Sequence, residues 1–295
     1  MKILVVGGTG MVGARLARRL IADGMTVRVF SRHVPRDSKA SYEHVSGDVR
    51  DQKALQEAMG GVDAVVHLIA IIREKADQTF HNVNVQGTEN AVRAAREAGV
   101  RRFVAMSVLG AQDSPRYPYL RSRWRGEQAV LSSGLEYTIL RSSLLFGGPG
   151  GILLRVVQSL RLTPPPFAVL PGSGHTRFQP LWVEDLARCI LQALSAPQHV
   201  RRLYEIGGPD YLTLRDITRL VLRARGGRRL FISVPIPLMA PAVKAMSILF
   251  RDPPVTLEEL RQLALDNVAD LDSIQHNFGF TPEPLHRHLD DVKGM

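Results

Sequence analysis

Residues 1–20 read MKILVVGGTGMVGARLARRL. The β-branched apolar run Ile3, Val5 and Val6 gives way to Gly7, Gly10 and Gly13, after which Leu16, Ala17 and Leu20 recur at helical spacing. The order is strand, tight turn, helix. Lacking Cβ atoms, Gly7 makes the turn, Gly10 admits a pyrophosphate to the backbone, and Gly13 lets the helix pack close to the strand. The helix N-terminus then offers unpaired N–H groups and a positive dipole end to the phosphates. Thr9, Met11 and Val12 belong to the same expected contact surface. A glycine-rich turn with no ligand is the alternative, and the clear strand and helix on either side argue against it.

The second strand bears on which nucleotide. Thr26, Val27, Val29 and Phe30 form a β-rich run about twenty residues after the glycines, where a site for NAD places an acid for the ribose 2′-hydroxyl. Ser31 and Arg32 stand there instead, with Arg36 soon after. A guanidinium suits a 2′-phosphate that a carboxylate would repel, so the sequence favours NADP(H) over NAD(H). The alternative is that Arg32 is a solvated loop charge in an arginine-rich chain.

The chain has 295 residues, 45% of them hydrophobic and 22% charged, which suits one large α/β domain with a smaller lobe attached. Met1 leads directly into the first strand and no apolar run reaches the ~18 residues of a spanning helix, so a cytoplasmic protein is expected, with a peripheral membrane position left open. Cys189 lies in the helical pattern LARCILQALS and reads as a small core residue. The nine histidines show no metal-ligand spacing, and His286 and His288 read as surface. Net charge is +10, carried by 32 arginines and six lysines. Much of it is local: between Asp216 and Asp252 there is no acid, while Arg219, Arg223, Arg225, Arg228, Arg229, Lys244 and Arg251 supply positive charge.

Strand-like runs at Lys2–Val6, Val27–Phe30, Glu43–Ser46, Ala64–Leu68, Arg102–Met106 and Tyr137–Leu140 alternate with helical patterns at Met11–Ala22, Gln52–Met59, Thr79–Ala98 and Trp124–Ser133. That alternation predicts a doubly wound parallel sheet of Rossmann type, with its ligand beyond the C-terminal strand ends. After Gly147, Gly and Pro punctuate heavily (GGPGG, TPPPF, LPGSG), VEDLARCILQAL returns to helix and LYEIGG to strand, and a mostly helical tail follows. The expected organisation is a dinucleotide-binding core over 1–147. Residues 148–295 then hold the remaining core elements interleaved with a small, mostly helical C-terminal lobe for substrate or partner.

The stretches GGTGMVG (7–13), GDVRD (47–51), NVNVQGTENAVRAA (82–95), YLRSRWRGE (119–127), LRSSLLFG (140–147), HTRFQPLWVEDLA (175–187), YEIGGPDYLTLRDI (204–217) and LRQLALDNVAD (260–270) span nearly the whole chain. Together they resemble an atypical or extended short-chain dehydrogenase/reductase of the NAD-dependent epimerase/dehydratase kind. The nearest branch holds the nucleotide-binding accessory subunit of respiratory complex I and its bacterial relatives. The resemblance implies that Asp48 and Val49 contact adenine, that Leu68, Ile69 and Ala70 pass the cofactor, and that Asn84 helps hold water and backbone near the site. It also makes Ser107 the serine ending the fifth strand, and Tyr119 with Arg123 the counterpart of the Tyr-x-x-x-Lys pair.

Arg123 departs from that pattern. In active relatives the lysine ammonium lowers the tyrosine pKa and grips the ribose, so the phenol can exchange protons with a carbonyl or alcohol. An arginine four residues on shares the tyrosine's helix face and can hold the ribose. It does not give up a proton, so a relay through an amine is lost. Two functions follow. One is a nucleotide-binding protein with weak or no turnover, serving as accessory or assembly partner of a membrane redox complex. The other is an oxidoreductase, or a sugar-nucleotide epimerase or dehydratase, with Tyr119 as acid/base, Arg123 in place of lysine and Ser107 beside them.

Two further segments carry expectations. Arg177 and Gln179 precede Pro180 and the acids Glu184 and Asp185, whose expected role is to favour a helix N-terminus. The run VPIPLMAPAVKAMSILF (234–250) is apolar but for Lys244 and too rich in proline to span a bilayer. Beside the acid-free arginines it marks 217–251 as a face for a membrane surface or membrane-complex partner. The segment lacks interleaved aromatics, which argues against nucleic acid.

Overall fold

A computed structural model describes residues 1–33, 42–249 and 255–293. Arg36, Phe250, Arg251 and Asp252, which figure in the expectations above, lie outside the described residues. In chain order the elements begin β1 (Lys2–Val6), α1 (Met11–Ala22), β2 (Thr26–Ser31), β3 (Glu43–Ser46), α2 (Gln52–Met59) and β4 (Ala64–His67). A π-helix (Phe80–Gln86) runs into α3 (Gly87–Glu97), followed by β5 (Arg102–Val108), α4 (Pro118–Leu131) and β6 (Glu136–Ser142). Next come β7 (Leu145–Phe146), α5 (Ile152–Leu162), β8 (Phe167–Pro171), β9 (Arg177–Phe178), β10 (Leu181–Trp182), α6 (Val183–Ser195) and β11 (Arg202–Ile206). The chain continues with β12 (Leu212–Thr213), α7 (Leu214–Ala224), β13 (Leu230–Val234), α8 (Ile236–Leu249), α9 (Leu257–Gln262) and α10 (Ser273–Phe278).

The chain divides into two compact units, Met1–Ser142 with Val183–Glu205, and Ser143–Trp182 with Ile206–Met295. The first is a Rossmann-like sheet. Among the described residues its order is β11-β6-β5-β4-β1-β2-β3, with the pairs from β3 through β6 all parallel. Strands covered on both faces bury every residue, as the sequences AVVH of β4 and ILVV of β1 require. Beneath them Leu4, Val6, Phe30, Leu55, Met59, Val65, Phe103 and Ile139 form one cluster with α2 and α3. Cys189 is fully buried on α6, as its helical pattern predicts.

Two helices differ from expectation. The pattern at Thr79–Ala98 divides: Thr79 caps its start in a capping box with Asn82, the first turns are π-helical, and the α form resumes at Gly87. The helix expected from Trp124 begins at Pro118, because proline at a first-turn position sets the helical φ and needs no N–H partner. Tyr119 and Arg123 therefore both lie on α4.

The second unit is built around Phe146, Val156, Val157, Leu160, Phe178, Ile217 and Val221. Its tail is not simply helical, since β13 pairs in parallel with β8 from Phe167↔Leu230 to Pro171↔Val234. Gln179 is fully buried, donating to the Gly208 carbonyl and accepting the Ala269 N–H, both at 2.7 Å. Arg177 pairs with Asp266 at 2.6 Å. His286 is exposed, as expected, but His288 is half-buried, stacked on Trp182 with ring centroids 4.3 Å apart. No helix among the described residues is long and apolar enough to cross a membrane.

Candidate functional site

The turn after β1 is held by backbone bonds, Gly7 N–H to the Phe30 carbonyl at 2.8 Å and Gly10 N–H to that of Gly7 at 3.1 Å. Gly7 has φ +90°, which a side chain resists, and a Cβ there would lie 2.8 Å from Cγ1 of Ile69. A Cβ on Gly13 would meet the Gly7 carbonyl oxygen at 2.4 Å and Cα of Gly8 at 2.5 Å, so α1 crosses the turn as closely as backbone allows. On Gly10 it would touch only the Gly7 carbonyl, at 3.4 Å. Thr9 and Gly10 are exposed, Met11 half-buried and Val12 buried. Gly10 caps α1 without any side-chain hydrogen bond, and the first turn carries no acid. The positive helix end thus faces outward, framed by backbone N–H groups. Gly8, whose Cβ would fall 2.7 Å from Val29, was not singled out in the sequence; its signal was its place in the same glycine run.

Along the strand ends the other expected residues divide by role. Ser31 is buried, its hydroxyl donating to the His33 carbonyl and accepting from His44, both at 2.9 Å. Arg32 is exposed beside it. The Asp48 carboxylate accepts two bonds from the Arg50 guanidinium, at 2.9 and 3.0 Å, which hold it below the usual carboxylate range with a smaller contribution from the charge of Arg32. Val49 is buried against Gly87, where a Cβ would lie 2.7 Å from it. Leu68, Ile69 and Ala70 are half-buried on the loop after β4.

Asn84 fixes that loop. Fully buried in the π-helix, it accepts the Ile71 N–H at 2.8 Å and donates to the Ile71 carbonyl at 3.0 Å and to Ser122 on α4 at 2.9 Å. One carboxamide thus ties loop, π-helix and α4 together.

On α4, Tyr119 is buried, its ring 5.7 Å from that of Phe80. Arg123, one turn on, is also buried, and its Nη2 donates to the Met106 carbonyl of β5. Ser107 is 1% exposed. A cavity of about 10 Å3 lies among His67, Thr88, Ser107, Arg123, Gly126 and Glu127, so Ser107 and Arg123 meet there, under the sheet's C-terminal edge. Room for a single water is all it offers.

His67 and Thr88 line the same cavity, and sequence reasoning missed them. The Thr88 hydroxyl donates to the Asn84 carbonyl at 2.8 Å, so it accepts from His67 Nε2 at 3.1 Å. His67 therefore carries its proton on Nε2, leaving Nδ1 a bare acceptor. Burial, and then the charge of Arg123, push its pKa down to about 3. Gly126 was legible in principle: glycine inside a helix is costly, and here a Cβ would lie 3.0 Å from the Asn84 carbonyl and 3.3 Å from Thr88 Oγ1.

The chain is 27% identical over 274 residues to subunit 9 of the NADH dehydrogenase (ubiquinone) 1 alpha subcomplex of Arabidopsis thaliana mitochondria, covering 90% of this chain and 68% of that one. It is 30% identical over 264 residues to the ceramide reductase of Caulobacter vibrioides, covering 86% and 80%. Its fold matches the crystal structure of a short-chain dehydrogenase/reductase superfamily protein from Agrobacterium tumefaciens with bound NAD, at TM-score 0.73 and 22% identity, covering 100% of this chain and 96% of that one. Matched from residue 3 to residue 207, through the glycine turn, the Asn84 clamp and α4, the chain belongs to the NAD dependent epimerase/dehydratase family.

Proposed function

We propose that the protein binds a nicotinamide dinucleotide at the β1–α1 turn, prefers the 2′-phosphorylated form, turns over slowly or not at all, and serves as an accessory partner of a membrane-bound redox complex. The observation that carries the first part is the α1 N-terminus, close-packed at Gly13, open at Gly10 and without a side-chain cap. A pyrophosphate fits where a Cβ on Gly10 would point. Arg32 supports the preference for the phosphorylated form, and the carboxylate of Asp48, just after β3, is occupied by Arg50 and does not oppose it. One charge-assisted contact is worth ~1.5–3 kcal/mol, or roughly ten- to hundredfold in affinity. Titration calorimetry should give a lower Kd for NADPH than for NADH, with Arg32→Asp removing the difference; equal constants in the unmodified protein would refute the preference.

A bound nicotinamide supplies or accepts hydride, and the chain's own part would be to hold the ribose and manage a proton at Tyr119. The guanidinium of Arg123 reaches inward to the Met106 carbonyl, which supports slow turnover, since a donor that would otherwise face the ribose is engaged on β5. Likeness to the plant NADH dehydrogenase subunit supports the accessory role, with segment 217–251 as the attachment face. A second reading, an oxidoreductase or sugar-nucleotide epimerase or dehydratase with Tyr119 as acid/base, is favoured by the Tyr119–Arg123 spacing on α4 and by likeness to a named reductase. Arg123→Lys separates the two. Under the second reading it raises a measurable rate of NADPH oxidation with candidate carbonyls and Tyr119→Phe abolishes it. Under the first, neither substitution changes the slow or absent turnover, and dinucleotide binding is retained.

A further inference from the structure

The two-stranded sheet of β8 and β13 in the second unit has an inverted pattern. Ala168 and Phe231 turn to the core cluster. The opposite face, which ordinary alternation would make polar, carries Phe167, Val169 and Pro171 on β8 and Leu230, Ile232 and Val234 on β13, in register. Leu230 is 62% exposed, Phe167 41% and Ile232 40%. α8 begins directly beyond, its first turn near the end of β8, where a Cβ on Gly172 would lie 3.8 Å from Ile236. Leu238 on it is 71% exposed. Apolar surface of this kind on a chain otherwise able to bury its core marks a contact site.

Charge selects what covers it. Arg223, Arg225 and Arg228 are exposed, and no carboxylate among the described residues pairs with them. Arg229 donates to the carbonyls of Leu160, Thr163 and Phe167, so a cation is pinned at the edge where β8 and β13 begin. A second copy of this chain would bring two such arginine sets together. An anionic surface with an apolar interior matches both halves of the face.

We propose that the apolar β8–β13 face and the first turns of α8 dock on an anionic lipid bilayer, with Arg228, two residues before Leu230, on the headgroups. This deepens, and rests on, the attachment part of the proposed function, and is independent of its dinucleotide part. The test is cosedimentation of the whole protein with vesicles of phosphatidylglycerol and phosphatidylcholine, against phosphatidylcholine alone. Binding is expected to the anionic vesicles only, and to weaken steeply as salt rises from about 0.02 to 0.5 M. Leu230→Ser with Ile232→Ser, and separately Arg228→Gln, should each cut it by about fivefold or more. All three side chains are exposed, and an unchanged melting temperature verifies folding. No binding at low salt, binding by either variant equal to that of the unmodified protein, or a concentration-dependent dimer abolished by Leu230→Ser with Ile232→Ser would overturn the proposal. The vesicles contain no protein. Failure here beside intact co-purification with a redox complex would sink lipid docking alone, while vesicle binding without any such co-purification would sink the accessory role.

Discussion

His67 donates through Nε2 to Thr88 and is kept neutral by burial and by Arg123, with its pKa near 3 in the fold. The unfolded chain carries an ordinary histidine, near 6.5, so below that value the unfolded state takes up a proton that the native state refuses. Stability is therefore unaffected above pH ~6.5 and falls by roughly 1.4 kcal/mol per pH unit as pH drops towards 3, about 2 kcal/mol by pH 5. Urea unfolding at pH 7 and pH 5 should show this loss in the unmodified protein and a smaller one in His67→Gln; identical pH dependence would rule His67 out as its source. Nothing in the local sequence VVHLIA shows this. The strand pattern marks position 67 as buried, but its tautomer depends on Thr88, twenty-one residues away, and on the α4 arginine.

At the scale of elements, the β1–α1 turn was legible almost residue by residue, because close backbone approach has few solutions and all of them need glycine. Gly10 and Gly13 now separate into two kinds of requirement. Gly13→Ala forces Cβ against the Gly7 carbonyl and should cost about 1–3 kcal/mol of stability, read as a lower melting temperature. Gly10→Ala meets one atom at an acceptable distance, so the melting temperature should hardly move while dinucleotide affinity falls. A ligand-free fall in stability equal to that of Gly13→Ala would contradict the assignment. The π-helical start of the helix expected at Thr79–Ala98, by contrast, was not legible. Apolar spacing reports which face is buried, whereas the wider turn is a matter of backbone i→i+5 bonding, which that spacing does not encode. The strand β13 was hidden for a related reason: its exposed face is apolar, so Leu230–Val234 lacks the alternation by which a half-buried strand is read.

Over the whole molecule, sequence order and spatial order part company. The first unit gives up the chain at Ser142 and takes it back from Val183 to Glu205, where α6 packs on α1 and β11 joins β6 at the sheet edge. Arg102, buried on β5 among acceptors rather than acids, holds that return in place. It donates to the Ala193 and His199 carbonyls at the end of α6 and beyond, and to the Glu136 carbonyl on β6. On a ribosome, then, six strands exist before the seventh has been made, and residues 143–182 emerge in between. For that interval β6 is a bare edge and a guanidinium waits in the interior without most of its carbonyls, a combination that invites pairing with other nascent chains. A fragment ending at Ser142 would remain in that state permanently. Synthesis beyond Glu205, rather than completion of the glycine turn at the other end, is the moment at which β6 is paired on both sides and Arg102 gains its last acceptors.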